Sequence, residues 1–287
     1  MKNFKALPAR PAHAIRLALP AVLLGVCAAA SAQTRVIEET LVLRDPTVAA
    51  ASGSIFGASI EGLYMSTPFR SFSSSNDGTY EDGKAKGGAV GANVFAGYGD
   101  FTLGYTHRNG SGKSTLTHNP STTVPERYTH SVEMIPKQDE LLLRWLGRGL
   151  STTWFTPYLY AGYTQLKSDF DDVRDTGVWP ESGTNRLKSS VKSKSSMAGL
   201  GGIIPVTATY GFRGDVGYTR TRQTTERQGI PTKTGSGTGS RVTGTLYYNF
   251  SEGWNAQLGG RYEYFNGGDA GHMTVGGAFA MLGYTFK

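Results

Sequence analysis

The sequence predicts an all-β protein, a transmembrane antiparallel up-and-down β-barrel of about ten strands with short turns at one end and long loops at the other. Three observations predict it. From residue 52 onward, segments of period-two alternation recur between polar stretches that are alternately short and long. Aromatic residues gather beside the short connections. Beyond the first thirty-odd residues no run approaches the roughly 20 consecutive apolar residues that a membrane helix needs. Together with a mean hydropathy of −0.30, this excludes a polytopic helical protein. The single cysteine, Cys27, excludes a disulfide framework and a cysteine-based zinc site.

The first 32 residues read as a secretory address. Lys2, Lys5, Arg10 and Arg16 precede an apolar run from Leu17 to Ala30, and Ala30-Ser31-Ala32 forms an A-x-A site with cleavage expected before Gln33. Val26 stands where a lipid-modified Cys27 would want a small neighbour, which ranks lipidation low. Removal of residues 1–32 takes four basic and no acidic residues, leaving 25 basic against 22 acidic. A chain so close to neutral does not call for a nucleic-acid partner. Residues 33–51 are expected to be a periplasmic lead-in. Within it, Glu38-Glu39-Thr40-Leu41-Val42-Leu43 is similar to the box by which TonB-dependent transporters engage their energising partner, although those proteins are far larger and carry a plug domain.

The barrel is expected over residues 52–287. Its candidate strands are Ser54–Met65, Gly87–Tyr98, Phe101–Arg108, Met134–Leu146, Trp154–Lys167, Ser189–Ile203, Val206–Thr221, Arg241–Phe250, Trp254–Tyr264 and Met273–Phe286. Each has about the length of a tilted membrane strand. Alternation is clearest in the ninth, where Trp254, Ala256, Leu258, Gly260, Tyr262 and Tyr264 interleave with Asn255, Gln257, Gly259, Arg261 and Glu263. A soluble sandwich would alternate as well. The aromatics separate the two readings, because Trp145 and Trp154 flank one short connection, Phe250 and Trp254 another, and Phe101 follows Gly99-Asp100. Membrane barrels place such residues in a girdle at headgroup level. The long connections, Ser66–Lys86, Asn109–Glu133, Ser168–Lys188 and Arg222–Ser240, with the shorter Phe265–His272, then fall together at the extracellular end.

In these features the chain resembles the small single-chain outer-membrane β-barrels of Gram-negative bacteria. Its last strand places Leu282, Tyr284 and Phe286 on one face, which looks like the signal read by the barrel-assembly machinery. Lys287 after the final aromatic and Met281 depart from the usual pattern. The resemblance implies a location in the outer membrane, export by a cleaved signal, and lipid and lipopolysaccharide as surroundings. It names a class of fold and leaves function open.

An Arg or Lys on the lipid face near the midplane costs about 2–4 kcal/mol, and the alternation instead turns Glu61, Glu140, Arg144, Arg213, Asp215, Arg261 and Glu263 toward the lumen. In a barrel of about ten strands, charges of both signs are expected to pair, because an unpaired buried charge is costly. The competing expectation is a narrow diffusion channel for small anionic solutes, lined by the arginines. Two basic groups are assigned to the long loops: Arg186, Lys188, Lys192 and Lys194, and then Arg220, Arg222, Arg227, Lys233 and Arg241. They suit lipopolysaccharide phosphates or another anionic extracellular ligand.

Catalytic readings are weak. Asn109-Gly-Ser-Gly-Lys-Ser-Thr115 looks like a phosphate-binding loop, but His107 stands where the first glycine is required, so it is expected to be a surface loop. An omptin-type protease would use an Asp-His pair facing paired carboxylates. Asp171, Asp172, His118 and His130 supply the residue types without a supporting spacing, and a lipid A deacylase triad has no better support. No catalytic residue, metal ligand or cofactor is therefore assigned. The expected function is non-enzymatic, a surface barrel contacting lipopolysaccharide or an extracellular ligand, with the anion channel as alternative.

Overall fold

The computed structural model describes residues 54–72, 80–118, 128–173, 187–207, 209–227, 230–250, 253–268 and 271–286. The expected signal and lead-in, including Glu39–Leu43, lie outside the described residues. Ten antiparallel strands close into one barrel: β1 (Ser54–Phe72), β2 (Tyr80–Tyr98), β3 (Phe101–His118), β4 (Tyr128–Leu146), β5 (Thr156–Val173), β6 (Leu187–Pro205), β7 (Tyr210–Arg227), β8 (Ile230–Asn249), β9 (Trp254–Asn266) and β10 (His272–Phe286). Each strand pairs with its sequence neighbours, and β1 pairs with β10 to close the sheet. Closure leaves no edge strand, which a sheet surrounded by lipid requires.

The outer wall shows why these residues form these strands. Every strand turns alternate side chains outward, and the exposed large apolar residues form a continuous band. Ile60, Val90, Val94, Leu103, Leu141, Leu143, Leu159, Leu200, Phe212, Val242, Leu246 and Leu258 are all exposed on it. Below the band stand Tyr98, Phe101, Trp145, Trp154, Tyr248, Phe250, Trp254 and Phe286, and above it Tyr64, Tyr163, Tyr218 and Tyr262. From Trp254 to Tyr262 the chain climbs eight residues along β9. At about 3.3 Å per residue that is roughly 26 Å along the strand, or about 20 Å of height once tilted by about 40°. Two aromatic girdles enclosing an apolar belt of that height make a lipid-facing surface.

The short turns are tight. Gly99, with φ of 56°, turns β2 into β3, and Gly253, with φ of 81°, precedes β9. A side chain at either would sit in the left-handed region that glycine tolerates. Val206 belongs to a turn rather than to a strand: its amide and that of Thr207 donate to the Tyr210 carbonyl, so β7 begins four residues later than expected.

Four of the expected long loops need correction. β1 continues to Phe72 and β2 starts at Tyr80; β3 runs to His118, β5 to Val173, and β8 starts at Ile230. The phosphate-loop look-alike at Asn109–Thr115 is likewise part of β3. Within the membrane one strand face meets lipid and the other the lumen, so the sequence alternates. Above the upper girdle the outer face becomes mostly polar, and the alternation that signals a strand weakens while the hydrogen-bonded ladder goes on.

Candidate functional site

Inside the barrel the charges converge. Arg241 on β8 reaches across the lumen to Glu140 on β4 with two hydrogen bonds, Nη1 to Oε2 at 2.7 Å and Nη2 to Oε1 at 3.3 Å. The same Nη1 lies 3.4 Å from Glu263 Oε1 and donates to Met197 Sδ at 3.4 Å. Arg108 on β3 donates from Nε to Glu61 on β1, and from Nη1 to Gln138 at 3.3 Å. Gln138 then donates from Nε2 to Glu263 at 3.1 Å, again across the lumen. Arg261 stands 3.9 Å from Glu263 and over the Phe279 ring. Glu61, Arg108, Glu140, Arg241 and Glu263 are all buried. A Cβ at Gly91 would sit 2.8 Å from the Glu61 carboxylate and 3.1 Å from Arg108 Cγ, so the missing side chain there makes room for this pair.

Toward the periplasmic end Arg213 donates to Gln257 at 3.2 Å, and Gln257 to Asn255 at 3.1 Å. Tyr158 donates to Asp215 at 3.1 Å. Arg144 completes this group beside Arg213, Tyr158 and Asp215. Apolar layers bracket the charges. Leu142, Leu146, Tyr158, Tyr160, Ile203 and Tyr247 pack on the periplasmic side. Leu63, Met65, Leu166, Phe265, Met273 and Val275 pack on the extracellular side.

The seven lumen residues picked from the sequence thus share one lumen, together with two the sequence reading did not place there. Arg108 is the last residue of its candidate strand, Phe101–Arg108. Arg241 was grouped with the surface cations, and the structure corrects this: it is buried and joins Glu140 to Glu263. Strand parity was the available signal, since Arg108 alternates in phase with Thr102 and Thr106, and Arg241 with Thr243 and Thr245, all buried.

The remaining basic residues divide. Arg186 lies outside the described residues, and Lys188 and Arg227 are placed only by backbone register, opposite Asp171 and Ile230. Lys233 is exposed near the start of β8. Lys192, Lys194, Arg220 and Arg222 are on the walls of β6 and β7; this agrees with the candidate strands for the first three and moves Arg222 out of its expected loop, so the assignment of the whole group to loops is corrected. Lys192 is paired with Glu226 at 2.8 Å. Lys194 stands directly opposite Arg222, and Arg220 directly opposite Ser196, one outward step above Tyr218. Ser236 and Thr238 on β8 flank the two arginines. Lys194, Arg220 and Arg222 are exposed, and no carboxylate among the described residues lies within ion-pair distance of them.

A different cluster occupies the wall of β3 and β4. Asp139 Oδ1 accepts from Tyr105 Oη at 2.6 Å and lies 2.8 Å from His107 Nδ1. His107 and Asp139 are cross-strand partners, 32 residues apart in sequence, so a search for short His-Asp spacings misses them. The side chains of His118, His130, Asp171 and Asp172 are outside the described set. No group of three or more His, Cys, Asp or Glu suited to a metal occurs among the described residues. At the seam, Phe286 stacks on Phe56 with centroids 5.6 Å apart, Tyr284 packs edge-on against Trp254 at 5.1 Å, and Leu282 pairs with Ile60.

No family model and no curated protein sequence matches the chain. Among solved structures it is similar to the outer membrane protease OmpT of Escherichia coli, with a TM-score of 0.57 and 12% identity over 84% of this chain and 98% of that one. The translocator domain of the autotransporter NalP of Neisseria meningitidis matches over 97% of this chain and 100% of its own, with 16% identity and a TM-score of 0.44. The likeness to OmpT shows the fold, that of a bacterial outer-membrane β-barrel.

Proposed function

We propose that this chain is a non-enzymatic, non-conducting barrel of the bacterial outer membrane that acts through its outer wall, docking lipopolysaccharide phosphates on β6 and β7. The observation that carries this reading is the row formed by Lys194 and Arg222, with Arg220 beside them. Like charges directly opposite one another on a sheet repel, and here no carboxylate of the described chain relieves them. An anion between them would. Their place one and two outward steps above Tyr218 is the level of headgroup phosphates, and Ser196, Ser236 and Thr238 add hydroxyls around the cations. Guanidinium binds phosphate through two parallel N–H donors, and the lysine adds a point charge.

The non-conducting part rests on the lumen. Arg241 with Glu140, and Gln138 with Glu263, bond across it, and apolar layers pack on both sides of these bonds. Oppositely charged groups that neutralise one another leave no lining of one sign to select anions. Lipid and lipopolysaccharide are the proposed partners in place, and the barrel-assembly machinery, reading Leu282, Tyr284 and Phe286, is the partner during biogenesis.

The test is calorimetric titration of the refolded chain with bisphosphorylated lipid A and with its dephosphorylated form in the same detergent. Hydrogen bonds to charged groups contribute about 1.5–3 kcal/mol each, so Lys194→Gln with Arg222→Gln should weaken binding of the phosphorylated form by at least about tenfold. Equal affinity for both lipid forms contradicts the proposal. Tight binding of a sulfated glycan with no response to lipid A would transfer the patch to an extracellular ligand.

A further inference from the structure

We propose that the lumen holds a blind, methionine-lined recess on the extracellular side of the ion network, and that it binds a small apolar molecule with a neutral hydroxyl or carbonyl end. The first observation is a sorting of methionine. The chain has six; of the five after Met1, Met65, Met134, Met197 and Met273 are buried in the lumen and Met281 is in phase with the lumen face of β10. None lies on the lipid face, where leucine, valine and phenylalanine are plentiful. Hydrophobicity alone would not sort them so. An unbranched thioether suits a wall that must change shape, because it moves among many rotamers at small cost.

Met197 is accounted for by its contact with Arg241. The other three buried methionines line one recess with Leu63, Leu166 and Val275, floored by Arg108 and Gln138. At rest the recess has a volume of about 10 Å³, room for about one water, so a small molecule enters only as the methionines change rotamer.

The second observation is Ser168. Its side chain lines the recess, is 1% exposed, and its hydroxyl has no hydrogen-bond partner among the described residues. A buried polar group is normally paired, and a ligand hydroxyl or carbonyl would pair it. The surrounding charges set the ligand's own charge. Arg108 in the floor opposes the soft metal cation that three thioethers would otherwise attract. Glu61, Glu140 and Glu263 beneath it oppose a carboxylate. A neutral polar end on an apolar body remains.

The experiment uses the full chain, labelled with carbon-13 at the methionine methyls, refolded in detergent and titrated with benzyl alcohol. The expected result is a saturable shift of the Met65, Met134 and Met273 methyl signals, with Met197 and Met281 unmoved. Because one hydrogen bond is at stake, Ser168→Ala, or toluene in place of benzyl alcohol, should weaken binding about fivefold. Non-saturating shifts of all five signals, absence of shifts, or unchanged affinity in Ser168→Ala would overturn the proposal. Heat-modifiable gel mobility of each sample establishes that the barrel is folded.

Discussion

The lumen and the β6–β7 wall both concentrate arginine, and they differ in what neutralises it. In the lumen, Arg108 and Arg241 are buried against Glu61, Glu140 and Glu263 of the same chain. On the wall, Lys194, Arg220 and Arg222 stand exposed with no such partner among the described residues. The β3–β4 wall is intermediate: there Asp139 is held by Tyr105 and His107. The difference follows from solvent. A buried charge without a partner of its own chain would prevent folding, whereas a charge at the headgroup level can wait for a counter-ion from outside. Charge that a fold completes internally is structure, and charge that it leaves incomplete at a surface is available for binding.

Breaking the internal side should have the largest effect. Arg241→Ala leaves Glu140 buried without its hydrogen-bonded partner, with Arg108 at 3.6 Å and Arg261 also close by, and should cost about 3–5 kcal/mol in denaturant unfolding of the refolded barrel. Arg241→Met with Glu140→Leu removes both charges together and should recover most of that loss. If the double replacement is as damaging as the single one, the pair is not the cause.

Next comes the lipid belt. Leu258 is exposed at the middle of the β9 band, so Leu258→Arg should destabilise by about 2–4 kcal/mol. Ser196→Arg, beside the existing cations, should change stability by less than about 1 kcal/mol because the cost falls toward the interface. Similar losses at both positions would contradict the placement of the belt. The smallest effect is expected at Asp139→Asn. It removes an exposed pair with His107 and should cost less than about 1 kcal/mol, read by the same unfolding assay.

This contrast also explains what the sequence disclosed. β9 was legible from end to end because Leu258 faces lipid while Gln257 and Glu263 face the lumen, so two solvents wrote two patterns on one strand. The upper part of β8, Thr234-Gly235-Ser236-Gly237, read as loop because polar surroundings on both sides write none. Strand parity assigned Glu140 to the lumen but could not name Arg241, 101 residues away, as its partner. Cross-lumen pairing depends on barrel closure and shear, which no local period encodes. The wall cations were visible as a basic cluster, yet their facing arrangement required the β6–β7 register.

The most direct test of a self-neutralised lumen is single-channel recording of the refolded barrel in a planar bilayer bathed in concentrated KCl. The account predicts a silent bilayer from protein whose heat-modifiable mobility shows that it is folded. Reproducible conductance steps, above all ones selective for chloride, would contradict it and make Arg144, Arg213 and Arg261 the lining of an open pore.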